Sequence, residues 1–289
     1  MSGAKKLLEL LKNDKIIMAP GAPDALTARL IEQAGFDAVY MTGFAATATL
    51  IGCPDLGLST QTEMTTHARS MVRAVDIPVI ADADTGYGGP ANIERTVREY
   101  CQAGVAAIHL EDQILPKRCG HMAGVKLVSA ENMQRRLKCA IAARGKEDLL
   151  IIGRTDACAV FGVDEALNRA RCYLEAGVDM LFIDAVKKID DARLLGEALK
   201  GATLIISMVE GNETAQLLPD ELKQMGFSIA LYPLSTLLRA TYASREMLAD
   251  LKENGTTLAK ADQMMTYGDF SKVVDLDRYN RLDDNFGID

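Results

Sequence analysis

Residues Cys101–Asp112 read CQAGVAAIHLED. Cys101–Ala103 close an amphipathic helical pattern that begins near Gly89, in GPANIERTVREYCQAG. Gly104 then supplies the left-handed residue that ends a helix. Val105–Leu110 follow as a strand, apolar except for His109, as expected when both faces of a strand are buried. The strand finishes on two carboxylates, Glu111 and Asp112. The same order of helix end, glycine, apolar strand and polar terminus returns in EQAGFDAVYMTG at Gly35, EAGVDMLFIDA at Gly177 and KQMGFSIALYPLS at Gly226. Between these lie four more short apolar runs, IIMAPGA, IPVIADADTG, LLIIGRTDA and ATLIISMVEG. Eight strand-then-helix units in succession predict an α/β fold of the (β/α)8 TIM-barrel type. An open doubly wound sheet would require a GxGxxG turn after the first strand, and APGAPDA at residues 19–25 is not one.

The chain of 289 residues, 48% hydrophobic and 25% charged, has ample material for one such barrel. Residues 1–289 are read as a single barrel domain, with a helical tail from Thr236 onward, residues 236–289. A net charge of −8 argues against nucleic acid and anionic membrane as partners. No apolar run approaches the roughly 18 residues that span a bilayer. The N-terminal MSGAKKLLELLKNDK is an amphipathic helix pattern without a signal core, so the expected location is cytoplasmic. Six cysteines show no CxxC pairing, which indicates neither a zinc cage nor a disulfide framework.

A barrel places its chemistry where strands end. Those ends carry Thr42-Gly43-Phe44, Asp82 and Asp84, Glu111 and Asp112, Arg154 and Asp156, Asp184, Ser207 and Glu210, and Ser235. Burying so many carboxylates without a cation is costly. Asp82 and Asp84 are two apart and would point the same way on a strand, with Glu111 at the end of the next strand. Three carboxylates without thiolate or imidazole suit a hard divalent cation, Mg2+ or Mn2+. After the fourth strand comes LEDQILPKRCGHMAGVKLVS, in which Lys117, Arg118, Cys119 and His121 surround Gly120. Neighbouring cations would lower the Cys119 pKa from its reference of about 8.5. His67 is expected to face solvent or a subunit contact, His109 to be a barrel residue and Glu213 to be solvated helix surface.

The ordered set DADTGYG, LED…KRCGH, RTDA and YPLS resembles the isocitrate lyase and phosphoenolpyruvate mutase superfamily, over nearly the whole chain from about Pro20. It is most similar there to the small lyases of 2-methylisocitrate and 2,3-dimethylmalate. The resemblance implies a Mg2+-dependent carbon–carbon lyase that cleaves a 2-hydroxy dicarboxylate to pyruvate and a short carboxylic acid. It implies Asp84 as direct metal ligand, with Asp82, Asp55 and Glu111 holding the metal through waters. Thr42, Gly43 and Phe44 would offer N–H groups to a substrate carboxylate, with Arg154 as its cationic partner. Cys119 would be the general acid on a closing loop, assisted by Lys117 and His121, with Arg118 and Gly120 beside the substrate. Tyr40 would be the base for the substrate hydroxyl. Asp184 stands where relatives carry glutamate, and Ser207 where they carry asparagine. The resemblance also implies a homotetramer in which the last helix is swapped, so that the tail packs on a neighbouring subunit.

Phe44 in place of a glycine, and Leu238 in place of an arginine for a third carboxylate, favour an alkylated malate over methylisocitrate, although Arg239 could compensate. Two other readings compete with the lyase. One is an oxaloacetate hydrolase or decarboxylase of the same superfamily. The other is a dicarboxylate-binding barrel without turnover.

Overall fold

A computed structural model describes residues 1–287 of the chain; Ile288 and Asp289, the last two positions of the expected tail, lie outside the described residues. Eight strands form one closed barrel in sequence order: β1 (Ile17–Ala22), β2 (Val39–Met41), β3 (Val79–Asp82), β4 (Ala107–Glu111), β5 (Leu150–Thr155), β6 (Met180–Ile183), β7 (Leu204–Ser207) and β8 (Phe227–Tyr232). All neighbours are parallel, and β8 closes on β1 through pairs such as Ala19 with Leu231.

The strands are apolar on both faces because they serve two cores. One cluster contains Ala19, Tyr40, Ile80, Ile152, Phe182 and Leu231. The residues one step along, Met41, Ala81, Ile108, Ile151, Ile183 and Ile206, belong to a second cluster shared with the surrounding helices. This is the two-residue period of a strand applied to a closed sheet. Ala4 and Leu7 of the N-terminal helix Gly3–Leu11 join the first cluster. The four glycines that precede β2, β4, β6 and β8 are all left-handed, with φ of 87° at Gly35, 83° at Gly104, 91° at Gly177 and 97° at Gly226. A Cβ is disfavoured in that region, so the turn from helix to strand is written in glycine.

The chain divides into two compact units, Met1–Thr236 and Leu237–Asp289. The first is the barrel. The second holds most of the helix Ser235–Asn254, a short 3-10 turn and the helices Tyr267–Val273 and Leu276–Phe286. Among the described residues, no helix is long and apolar enough to cross a membrane.

Candidate active site

The strand ends of the barrel open into a pocket lined by Tyr40, Thr42, Phe44, Asp55, Asp82, Cys119, His121, Met122, Arg154, Phe182, Asp184, Ser207, Val209, Pro233 and Leu234. All of these belong to the first unit. Most of the expected site residues are therefore gathered in one place, from segments as far apart as β2 and the turn after β8.

One side of the site is a group of buried carboxylates. Asp82 is the last residue of β3. Asp84 is not on the strand as its spacing suggested. Its φ is 47°, and its N–H donates to Asp82 Oδ1 at 2.8 Å, so a tight turn rather than the strand period aims its side chain. Lys117 Nζ lies 2.6 Å from both Asp55 Oδ1 and Asp84 Oδ1. Glu111, 1% exposed, has no hydrogen bond on either carboxylate oxygen, and its nearest cation is Arg154 Nη2 at 3.4 Å. Burial pushes Glu111 well above the usual carboxylate range. Burial likewise raises Asp84, to about 7, against the pull of Lys117. Carboxylates held this way gain from added positive charge. An all-oxygen donor set with two unpartnered buried oxygens fits a hard divalent ion. Among the described residues no three carboxylate, imidazole or thiolate groups converge into a direct ligand cage.

The loop after β4 closes the pocket. Cys119 donates its backbone N–H to Asp55 O at 3.1 Å. Its thiol departs from the sequence expectation. Burial pushes it up to about 11, against the His121 backbone N–H that lowers it, while Asp184 and Asp55 raise it more than Arg154 lowers it. Lys117 is neutralised by Asp55 and Asp84, and so is not available to stabilise a thiolate. Arg118 also departs from expectation. Its side chain is exposed and donates to Ala123 O at 3.3 Å, and it is not among the pocket residues. Gly120 lies against the opposite wall, where a Cβ would come within 2.5 Å of Asp184 Oδ2 and 3.0 Å of Arg154 Nη2. Only glycine lets the loop pack this closely.

Arg154 is buried among acids rather than free. It donates from Nε to Asp156 Oδ1 and from Nη2 to Asp184 Oδ2, both at 2.8 Å, and its guanidinium lies 5.2 Å from the Phe182 ring centre. His121 Nε2 stands 3.6 Å from Asp184 Oδ1 without a hydrogen bond. Asp184 thus pairs with Arg154 and lies beside His121 of the loop. Thr42, Gly43 and Phe44 form the start of the helix Gly43–Ile51, whose first N–H groups are unused by the helix itself. The Gly43 N–H departs from the expected role by donating to Asp82 Oδ2 at 3.2 Å.

The phosphoenolpyruvate phosphomutase family profile matches residues 7–252. The 2,3-dimethylmalate lyase of Eubacterium barkeri is 44% identical over 286 residues, 99% of both chains. A probable 2-methylisocitrate lyase of Corynebacterium glutamicum is 41% identical over 93% of this chain and 88% of its own. The chain belongs to the phosphoenolpyruvate mutase/isocitrate lyase superfamily. It is an enzyme of that superfamily, a carbon–carbon lyase. A solved oxaloacetate acetylhydrolase in complex with 3,3-difluorooxalacetate superposes on it with a TM-score of 0.94 at 36% identity, covering 100% of this chain and 98% of that one.

Within this superfamily barrel, several residues support the site that sequence reading named only as rim polarity or passed over. Asp112, fully buried, accepts from Thr155 Oγ1, Asp156 N, Arg169 Nη1 and Tyr173 Oη. Asp156 holds Arg154. Gln113, 1% exposed, reaches both Arg118 and Asp156. The available signal was alternation, since neighbours at a strand end face opposite ways and Asp112 must therefore serve a different side from Glu111. His109 is a barrel residue as expected. It is fully buried, with Nε2 2.8 Å from Tyr40 Oη, and burial pushes it down to about 4, so the ring is neutral. Burial and then Asp82 hold the Tyr40 phenol well above its ordinary value, which favours a neutral phenol over a base. His67 departs from expectation. It is half-buried, with Nε2 2.8 Å from Pro23 O, because its helix packs beside the turn after β1. Glu213 Oε2 accepts from Ile189 N at 3.5 Å.

Proposed function

We propose that this lyase cleaves an alkylated 2-hydroxy dicarboxylate of the 2,3-dimethylmalate type to pyruvate and a short carboxylic acid, with Mg2+, or Mn2+ in its place. The observation that carries the reading is the pocket's lining, which combines carboxylates, six apolar side chains and one strongly basic group. Asp82 and Asp55 mark the metal side. Phe44, Met122, Phe182, Val209, Pro233 and Leu234 supply apolar surface beside Tyr40, Thr42, Cys119, His121, Asp184 and Ser207. Among the described residues, Arg154 is the only lysine or arginine in the lining, and it is already paired with Asp156 and Asp184. A third carboxylate would be desolvated there without a partner, at a cost of several kcal/mol. A methyl group would gain about 0.8 kcal/mol.

When bound by Asp84 and, through water, by Asp82, Asp55 and Glu111, the divalent ion would draw charge from the oxygens of the hydroxy-acid end. The chain's own residues do the rest. The substrate hydroxyl passes its proton to the Tyr40 oxygen as the phenolic proton moves to Nε2 of neutral His109, 2.8 Å away, and the carbinol oxygen becomes the carbonyl oxygen of pyruvate. Arg154 and the Phe44 N–H, in the first turn of the helix Gly43–Ile51, stabilise charge on the carboxylate that departs. As the bond between the carbinol carbon and its neighbour breaks, its electron pair stays on the carbon next to that carboxylate. The Cys119 thiol, kept protonated by burial, delivers its proton to this carbon and becomes thiolate. Lys117 holds Asp55 and Asp84 in place, and the loop from Lys117 to His121 excludes water from the carbanion.

A cytoplasmic location and a homotetramer belong to the same proposal, with the helix-swapped tail packed on a neighbouring subunit. Large exposed apolar side chains on the tail support the assembly, among them Leu258 at 80% and Tyr267 at 84%. The test is kcat/KM over 2,3-dimethylmalate, citramalate, malate, methylisocitrate and oxaloacetate, with and without added metal. Dimethylmalate should lead. A clear preference for methylisocitrate would defeat the substrate assignment, and a preference for oxaloacetate would move the enzyme to the hydrolytic side of its superfamily.

A further inference from the structure

Gln113 sits five residues before Arg118, at the root of the cysteine loop, and its side chain spends every polar atom on two partners. Oε1 accepts the Arg118 N–H at 2.9 Å, and Nε2 donates to Arg118 O at 2.8 Å. The second Nε2 proton goes to Asp156 Oδ2. The amide orientation is fixed by this set, because exchanging its oxygen and nitrogen would place like groups together at all three contacts. Gln113 is itself anchored. Its carbonyl accepts from Arg136 Nη1 at 3.1 Å, and it bridges Leu127 in antiparallel fashion. Arg118 presents only its backbone to this clasp, since its guanidinium is exposed. Asp156, the other partner, holds Arg154 Nε at 2.8 Å.

We propose that Gln113 is a positioning residue, which clasps the backbone of Arg118 so that the adjacent Cys119 thiol and the Arg154 guanidinium, joined through Asp156, are held in one fixed relation. The role of this geometry in turnover rests on the lyase reading above; the clasp itself does not. An amide is the right group because a carboxylate at this position could accept from Arg118 N–H but could donate neither to Arg118 O nor to Asp156.

The test uses Gln113→Glu in the full-length, metal-loaded enzyme, with Gln113→Asn as the second variant should the first fail to fold. Asn keeps the amide but is one methylene too short to span both partners. Hydrogen exchange of residues 114–124 is followed by mass spectrometry beside steady-state kinetics and thermal unfolding. Exchange in this segment should rise about 10-fold, with distant barrel segments unchanged. kcat should fall by about 10²-fold, as for a misplacement of order 1 Å, with KM little altered. Wild-type exchange in a folded variant would overturn the clasp. Faster exchange with unchanged kcat would overturn its role in positioning. Faster exchange in a protein whose wild type cleaves none of the dicarboxylates would uphold the clasp and remove the lyase reading instead.

Discussion

Glu111 and Asp112 are neighbours in sequence, bear the same functional group and are equally buried, at 1% and 0% exposure. They do opposite things. Asp112 accepts four hydrogen bonds, from Thr155, Asp156, Arg169 and Tyr173. Glu111 accepts none. The alternation of a strand end sends one into a network that braces β4 against β5 and the helix Val163–Ala176, and the other into the mouth of the barrel. A buried carboxylate with both oxygens hydrogen-bonded belongs to the framework. One left unmatched is the group that the proposed divalent ion would satisfy.

The largest effect that would sharpen this contrast is metal removal. Chelation should abolish turnover, and Mg2+ or Mn2+ should restore it; full activity in stripped protein would break the comparison. Glu111→Gln should lose activity in the same assay, yet the metal-free variant should melt no lower than wild type, because no hydrogen bond is lost. Its unfolding temperature should also respond less to added metal than that of wild type.

Next in size, Cys119→Ser should fold normally and lower kcat by about 10²-fold or more, the range for losing a general acid. An unchanged kcat would leave the loop without a chemical role. Asp112→Asn tests the other half of the comparison. It takes the buried acidic partner from Arg169, which keeps Glu165 and Val128 O, and removes acceptors from Tyr173 and Thr155, so denaturant unfolding should show a loss of about 3 kcal/mol. Metal affinity in the folded variant should stay close to wild type. A variant as stable as wild type would show that Asp112 is no more structural than Glu111.

The smallest effect concerns His67, away from both carboxylates. Burial lowers its pKa, while the Pro23 carbonyl and Asp24 pull the other way. The unfolded chain therefore takes up this proton first as pH falls. The contribution of His67 to stability is present above about pH 6.5 and is lost below it. Between pH 8 and pH 5, His67→Gln should lose slightly less melting temperature than wild type; an equal or larger loss would contradict the assignment.

The sequence by itself determined the barrel. Apolar strands, left-handed glycines and polar strand ends are local properties, and eight of them in a row leave few other folds. It also determined which residue types crowd the rim, because strand ends of a closed parallel sheet all point to one face. Only the tertiary structure decided the pairings. Lys117 turned to Asp55 and Asp84 instead of to its neighbour Cys119. Asp84 left its strand for a turn. Gln113 took hold of Arg118 and Asp156. These choices depend on distances between segments up to tens of residues apart, and on how much water is excluded around each group. Spacing along the chain carries neither quantity. The Cys119 thiol shows the consequence: its charged neighbours in sequence suggest a lowered pKa, and burial, a property of the folded chain alone, raises it to about 11.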